Sequence, residues 1–368
     1  MDKIIRRKTR TVDVGGIKIG SGHDISIQSM CSRDSHDFEA VYRQTKSLVN
    51  AGCEIIRIAV PDKDCVGVFE YIKSRGVTIP LVADIHFDYR LAILSAEAGA
   101  DKVRVNPGNL GELERLYAVA DACMAHGTAM RVGVNGGSAE KKYVSKYGGV
   151  TPQALADSAL SYVDALDTHG FHDIVVSVKS SNVKTMTDAV KLAAEGSDVP
   201  LHIGVTEAGS VRMGTIKNAV GIGALLTDGI GDTVRVSLTA PPEDEVYAAR
   251  DILSACGYSR GGVEIVSCPT CGRTAIDLFG ILKSIEDRIP EIDTHGFHIK
   301  AAVMGCVVNG PGEARDADVG IAGGKGEAVL FRHGEIVGKI REDTAADVLI
   351  SEIEKTISEK VKEEGLNE

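Results

Sequence analysis

The chain has 368 residues, 43% of them hydrophobic, with 41 glycines, no tryptophan and only 4% aromatic residues. That length supports a large core, divided between two domains or one large and one small, and a Val/Ile/Leu/Ala core with many tight turns fits an α/β protein better than a sandwich. A formal charge of −11 argues against general nucleic-acid binding, whose affinity comes mainly from neutralised phosphates; an anionic small-molecule substrate would need its cations gathered in one place.

Residues 1–10 are basic, but no apolar signal core follows them. No stretch approaches the roughly 18 to 20 apolar residues of a membrane span. The expectation is a soluble cytoplasmic protein with no membrane partner. Eight cysteines in a chain this long are not a disulfide scaffold; in a reducing compartment they serve as core residues, metal ligands or catalysts.

Eight short Val/Ile-rich runs follow in chain order, at 24–30, 54–60, 80–85, 102–106, 129–134, 173–179, 201–206 and 232–238. Helical patterns lie between them at 38–50, 90–98, 113–126, 153–168, 186–195 and 243–255. Several end in glycine, at Gly52, Gly76, Gly99, Gly127, Gly170 and Gly196, as left-handed helix caps would. Eight β-α units over some 250 residues predict a (β/α)8 TIM-type barrel across 1–256, with an open doubly wound sheet as the alternative. Residues 257–262 read as a linker. Residues 263–368 then give a strand at 263–266, a Cys-rich turn, a helix at 275–287 and a strand at 299–304. A Gly-rich segment, a hairpin near His333-Gly334 and a helix from about Thr344 complete a smaller α+β domain.

Polar residues crowd the strand ends. Residues two apart share a face of a strand, and barrel active sites form at the C-terminal ends. The pairs are Asp84/His86, Arg104/Asn106, Arg131/Asn135, Ser177/Lys179 and Arg235/Ser237, with Arg57 one strand earlier and Glu207 alone at the end of its own. Structural ion pairs would explain any one of these cations. As a set, Arg57, Arg104, Arg131, Lys179 and Arg235 face only Asp84 and Glu207 as evident carboxylates. Burying unpaired charge is costly, so an anion belongs there, and arginine's planar fork suits phosphate oxygens. Two phosphates match the excess better than one. A Schiff-base Lys179 is the alternative use of that lysine.

Cys268 and Cys271 form a Cys-x-x-Cys turn, a pattern shared by redox, zinc and cluster sites. A third thiol, Cys306, opens a Gly/Pro-rich segment that carries Glu313 seven residues on. Three cysteines and a glutamate are unusual for structural zinc. A 4Fe-4S cluster with one weaker oxygen ligand makes chemical sense if one iron must be open to substrate; zinc stays the alternative. Cys53 and Cys123 fit core-facing helix positions.

These residues resemble the 4-hydroxy-3-methylbut-2-en-1-yl diphosphate synthase family of the methylerythritol phosphate route to isoprenoids, over nearly the whole chain. The resemblance rests on Cys268-Pro269-Thr270-Cys271-Gly272-Arg273, on the segment from Gly305 through Cys306 and Asn309 to Glu313-Ala314, on Val205-Thr206-Glu207-Ala208-Gly209, and on Asp101-Lys102-Val103-Arg104-Val105-Asn106-Pro107-Gly108. It implies a barrel followed by a small iron–sulfur domain resembling a sulfite-reductase module, in the two-domain bacterial form. It implies one 4Fe-4S cluster per subunit on Cys268, Cys271, Cys306 and Glu313, fed by flavodoxin or ferredoxin. The implied reaction is the two-electron reductive ring opening and dehydroxylation of 2-C-methyl-D-erythritol 2,4-cyclodiphosphate. By the same resemblance Arg57, Arg104, Arg131 and Lys179 hold the diphosphate and Asn135 and Ser237 hydrogen-bond to it. It also makes Glu207 the carboxylate nearest the reacting carbons and places Asn309 by the cluster, while Asp84, His86 and Arg235 join the substrate site through their strand-end positions. The family also implies a homodimer in which one subunit's cluster domain caps the other's barrel. The rival reading is a non-redox barrel lyase or transferase on a phosphorylated substrate, with a structural zinc domain.

Overall fold

The computed structural model describes residues 4–258, 261–307 and 314–365, and the chain divides into two compact units, 1–257 and 258–368. The first unit opens with a hairpin, β1 (Val12–Val14) and β2 (Ile17–Ile19). Eight strands follow: β3 (Ser26–Met30), β4 (Ile55–Ala59), β5 (Leu81–Asp84), β6 (Lys102–Val105), β7 (Ala129–Asn135), β8 (Ile174–Lys179), β9 (His202–Ile203) and β10 (Thr233–Val234). Each falls on one of the eight Val/Ile-rich runs. All neighbours pair in parallel, in the order β8-β7-β6-β5-β4-β3-β10-β9. The ring closes where Val176 of β8 bridges Leu201, with the Val176 N–H donating to the Pro200 carbonyl at 2.9 Å. A joined first and last strand is a barrel, not an open sheet.

The pleat sorts the strand residues into two sets. Ile56, Ile58, Val103, Val105, Val132, Val134, Val176 and Val178 face outward and are buried. The inward set begins apolar: Ile55, Val82, Ala129 and Val175 pack against Val12, Val14 and Ile19 of the hairpin. The hairpin, which the run pattern did not predict, plugs the N-terminal end of the barrel. Fully burying an aliphatic side chain contributes about 1.5–3 kcal/mol, so this floor leaves the other end free for polar groups.

The helices follow their local signals. Asp37 caps Phe38–Asn50 by accepting from the Ala40 N–H at 2.9 Å. Pro152–His169 begins on the Thr151 cap and stops at left-handed Gly170. Gly196 departs from the capping expectation. It lies inside the helix Val183–Gly196, and a Cβ there would come within 2.5 Å of Leu160 Cδ1; that glycine serves close helix packing. The helix Val211–Leu226 was not predicted. Gly214, Gly221 and Gly223 dilute its propensity, yet a Cβ on Gly221 would stand 2.8 Å from Met186 and Val205.

In the second unit β11 (Gly262–Ser267), β12 (His298–Met304), β13 (Val319–Gly323), β14 (Glu327–Arg332) and β15 (Glu335–Arg341) form one mixed sheet in chain order. The first three are parallel, the last three antiparallel. His333 and Gly334, both at positive φ, make the two-residue turn between β14 and β15. The helices Leu278–Glu286 and Ala345–Glu363 contribute Ile281, Ile285, Leu349, Ile353 and Ile357 to a core over Ile299, Val303 and Ile321. Gly262, read as linker, is already strand, and a Cβ on Gly261 would meet the Gly296 backbone at 2.8 Å.

Candidate functional site

Register brings the inward polar residues to one level at the C-terminal end of the barrel. Asp84 pairs with Arg104, Arg104 with Arg131, Gly133 with Ser177, and Asn135 with Lys179. Arg104 Nη1 donates to Asp84 Oδ1 at 3.0 Å; Arg57 Nε lies 3.7 Å and His86 Nε2 3.5 Å from Asp84 Oδ2. Burial pushes the Asp84 carboxyl up, but Arg57, the His86 hydrogen bond, Arg104 and Arg131 together outweigh it and hold it below the usual carboxylate range. Arg235 pairs with Glu245 at 3.1 Å and donates to Ser237 Oγ. Glu245 also accepts from Ser29 Oγ at 3.0 Å and from the Leu238 N–H at 3.0 Å. Lys179 is half-buried. Burial, then Arg131, Arg235, Arg57 and Arg104, push its ammonium well below its ordinary value.

Two glycines make room for these long side chains. A Cβ on Gly133 would meet Arg104 Nε at 3.0 Å, and one on Gly204 would meet the Arg235 carbonyl at 2.1 Å and Lys179 Nζ at 3.0 Å. Gly204 also holds φ at +148°, a backbone region that other residues rarely adopt.

The remaining predicted residues of the barrel fall around this mouth. His86 is exposed beside Asp84. Asn135 Oδ1 accepts from the Gly137 N–H at 3.1 Å and from Ser138 Oγ at 3.0 Å, so its amide N–H groups are the part left to meet a ligand. Glu207 is exposed just past β9 at φ 52°, an uncommon conformation for a residue with a side chain.

Three inward polar groups below the mouth were missed: Gln28, Lys102 and His202, all buried. Gln28 Oε1 and Nε2, Lys102 Nζ and His202 Nδ1 have no hydrogen-bond partner among the described residues. Lys102 shares parity with Arg104 and Asn106, so extending that rule one step back along the strand would have found it. Burial, then Arg131 and Arg57, push its amine well below its ordinary value.

The cysteines of the second unit follow the C-terminal ends of two adjacent strands. β11 and β12 are adjacent and parallel, with Ser267 opposite Val303. Cys268 follows the first strand and Cys306 the second, so both turns leave the same end. The Gly305 N–H donates to Cys268 Sγ at 3.2 Å, and the Ala275 N–H to the Gly305 carbonyl at 3.0 Å, tying the two turns together. Cys271 is exposed; the Arg273 backbone N–H, then its guanidinium, draw its thiol below the ordinary value. Asn309 and Glu313 lie outside the described residues.

Another donor group occurs in the first unit, where His36, Asp62 and Cys65 bring their ligand atoms within 4.8 Å of one another. Both ring nitrogens of His36 are already engaged, Nδ1 with Asp34 and Nε2 with Asp62, each at 2.9 Å. Burial, then Asp62, push the Cys65 thiol up to about 11. The group is satisfied as a histidine clamped by two carboxylates.

Known proteins match along the whole chain. The GcpE TIM-barrel domain matches residues 9–250 and the GcpE protein C-terminal domain residues 264–355. The 4-hydroxy-3-methylbut-2-en-1-yl diphosphate synthase (flavodoxin) of Clostridium perfringens is 51% identical over 349 residues, covering 95% of this chain and 99% of that protein. The enzyme of the same name from Caldanaerobacter subterraneus is 51% identical over 356 residues, covering 97% and 99%. A dihydropteroate synthase structure from Stenotrophomonas maltophilia superposes on 67% of this chain and 97% of its own, at a TM-score of 0.49 and 15% identity, too distant to carry an argument. No helix among the described residues is long and apolar enough to cross a membrane. With half its residues shared over nearly its full length, the chain belongs to the 4-hydroxy-3-methylbut-2-en-1-yl diphosphate synthase (GcpE) family.

Proposed function

We propose that the chain converts 2-C-methyl-D-erythritol 2,4-cyclodiphosphate to (E)-4-hydroxy-3-methylbut-2-enyl diphosphate in the cytoplasm, with two electrons from flavodoxin. The relatives' name supplies the product and the donor. The observation that carries the substrate is the barrel mouth, where Arg57, Arg104 and Arg131 surround Asp84 and Lys179 faces the same arginines, with too little carboxylate to neutralise them. A cyclic diphosphate brings two linked anionic groups to that excess. Arginine forks grip phosphate oxygens in a fixed plane, and Lys179 adds a point charge. Asn135 and Ser237 donate hydrogen bonds at the rim, and Asp84, His86 and Arg235 set the orientation of their neighbours. Glu207 presents its carboxylate toward the reacting carbons.

The donor set beyond these strand ends fits a 4Fe-4S cluster. Three thiolates with one carboxylate are an unusual set for structural zinc, whereas cluster irons are held by cysteine thiolates. The Gly305 N–H on Cys268 Sγ and the lowered Cys271 thiol favour thiolates. Cys268, Cys271, Cys306 and Glu313 would hold the cluster, one per subunit of a homodimer, and Asn309 would lie beside it. When bound, the cluster supplies the electrons one at a time. The chain's own part is to bind the diphosphate, exclude water around it and keep the cations fixed as charge moves.

Iron, sulfide and zinc analysis of anaerobically purified protein tests this reading. About four irons and four sulfides per chain are expected, with turnover of the cyclodiphosphate by reduced flavodoxin. One zinc per chain without sulfide would overturn it.

A further inference from the structure

Arg131 is buried in the barrel, yet among the described residues no carboxylate pairs with it. Its one hydrogen-bond partner among those residues is His202, whose Nε2 lies 3.2 Å from Arg131 Nη1. His202 is itself only 1% exposed, on β9, fixed against Thr233 of β10. A guanidinium has five N–H donors and no acceptor. The contact is therefore a hydrogen bond only if Nε2 carries a lone pair. A neutral imidazole keeps one proton, which must then sit on Nδ1.

We propose that His202 is a positioning residue for Arg131, accepting from the guanidinium through an unprotonated Nε2 and keeping its ring proton on Nδ1. The surroundings enforce this state. Burial first, then Arg131, Lys179, Lys102 and Arg57, disfavour an imidazolium there. An imidazolium would present a second donor to Arg131 and release it. Among the described residues Lys102 Nζ, Arg131 Nε and His202 Nδ1 have no hydrogen-bond partner, so no second side-chain hydrogen bond there holds the guanidinium. The aim of Arg131 at a phosphate then depends on its strand and on this one acceptor, and small misplacements of binding groups are costly.

The inference rests on Arg131 contacting the diphosphate, and the experiment separates the two claims. Nitrogen-15 NMR of histidine-labelled holoenzyme, assigned with His202→Gln, should show the His202 signal as a neutral ring with Nδ1 protonated. That measurement is independent of substrate. In kinetics, His202→Leu removes the acceptor and should raise KM for the cyclodiphosphate about tenfold or more with kcat less affected. His202→Gln, whose Oε1 can stand in for Nε2, should recover most of that loss. Arg131→Met serves as the reference: if it leaves KM unchanged, the diphosphate reading falls. If Arg131→Met raises KM while His202→Leu does not, or if the spectrum shows Nε2 protonated, the positioning role is overturned.

Discussion

Both candidate sites of this chain form at the C-terminal ends of parallel strands, but they are built in opposite ways. In the barrel the ligands are strand residues: Arg57, Asp84, Arg104, Arg131 and Lys179 sit on inward positions whose neighbours pack outward against helices. In the smaller unit the strands β11 and β12 are structural, and the cysteines stand just beyond them in turns. Strand positions fix side chains in a rigid frame and let burial tune their charge. Turns leave sulfur exposed to take up metal. The cysteines follow the same division. Cys31, Cys53 and Cys123 are buried, and burial pushes their thiols up to about 12, whereas Cys271 is exposed with its thiol drawn down.

The sharpest way to break this comparison is to damage each site alone. Cys306→Ser should abolish turnover and iron content while binding of the cyclodiphosphate, read by calorimetry, persists. Arg131→Met should do the reverse, retaining the cluster while affinity falls by the worth of its charged hydrogen bonds, about 1.5–3 kcal/mol each. It should also raise the melting temperature of substrate-free protein, because an apolar side chain of similar length replaces a buried cation without a carboxylate partner. A Cys306→Ser protein that no longer binds substrate would mean the two sites are not separable as argued, and an Arg131→Met protein that melts lower would mean the buried cation is not a net cost to the fold.

A milder test orders the thiols. The thiolate is the reactive form. A thiol drawn below its ordinary value is more ionised at a given pH, so Cys271 should alkylate first in cluster-free protein near pH 8. Cys31, Cys53, Cys65 and Cys123, inaccessible and pushed up, should not react until the barrel unfolds. Peptide mapping after timed alkylation reads the order, and early labelling of Cys65 would contradict the buried placement of its side chain.

The sequence made these two constructions legible to different degrees. The barrel cations were visible because a period of two marks one strand face, and the cysteines because their turns have strong local signatures. The polar layer below the mouth was not. Lys102 opens β6 and His202 lies on a two-residue strand, so each read as an edge residue, and Gln28 is followed directly by polar Ser29, which hides its parity. The floor hairpin has strands of three residues, too short for alternation to stand out. Gly196 looked like a cap because glycine after a helical pattern usually is one; only the approach of Leu160 shows the other reason for it.

The smallest expected effect concerns the backbone of Glu207. At φ 52° it occupies a region that costs a residue with a Cβ about 1–2 kcal/mol. At an ordinary position glycine is less stable than alanine by about 0.5–1 kcal/mol, because the unfolded chain gains freedom. The left-handed position should cancel or reverse that order: Glu207→Gly should be at least as stable as Glu207→Ala in denaturant titrations, although both remove the same exposed carboxylate. Activity should not follow stability. If Glu207 acts on the reacting carbons, both variants lose turnover alike, and relieving the backbone restores nothing. Strain kept at one exposed carboxylate beside a cation-lined mouth is what a positioned catalytic group would look like. A Glu207→Ala protein clearly more stable than Glu207→Gly would show that the residue is not strained, and full activity in either variant would remove the carboxylate from the reaction.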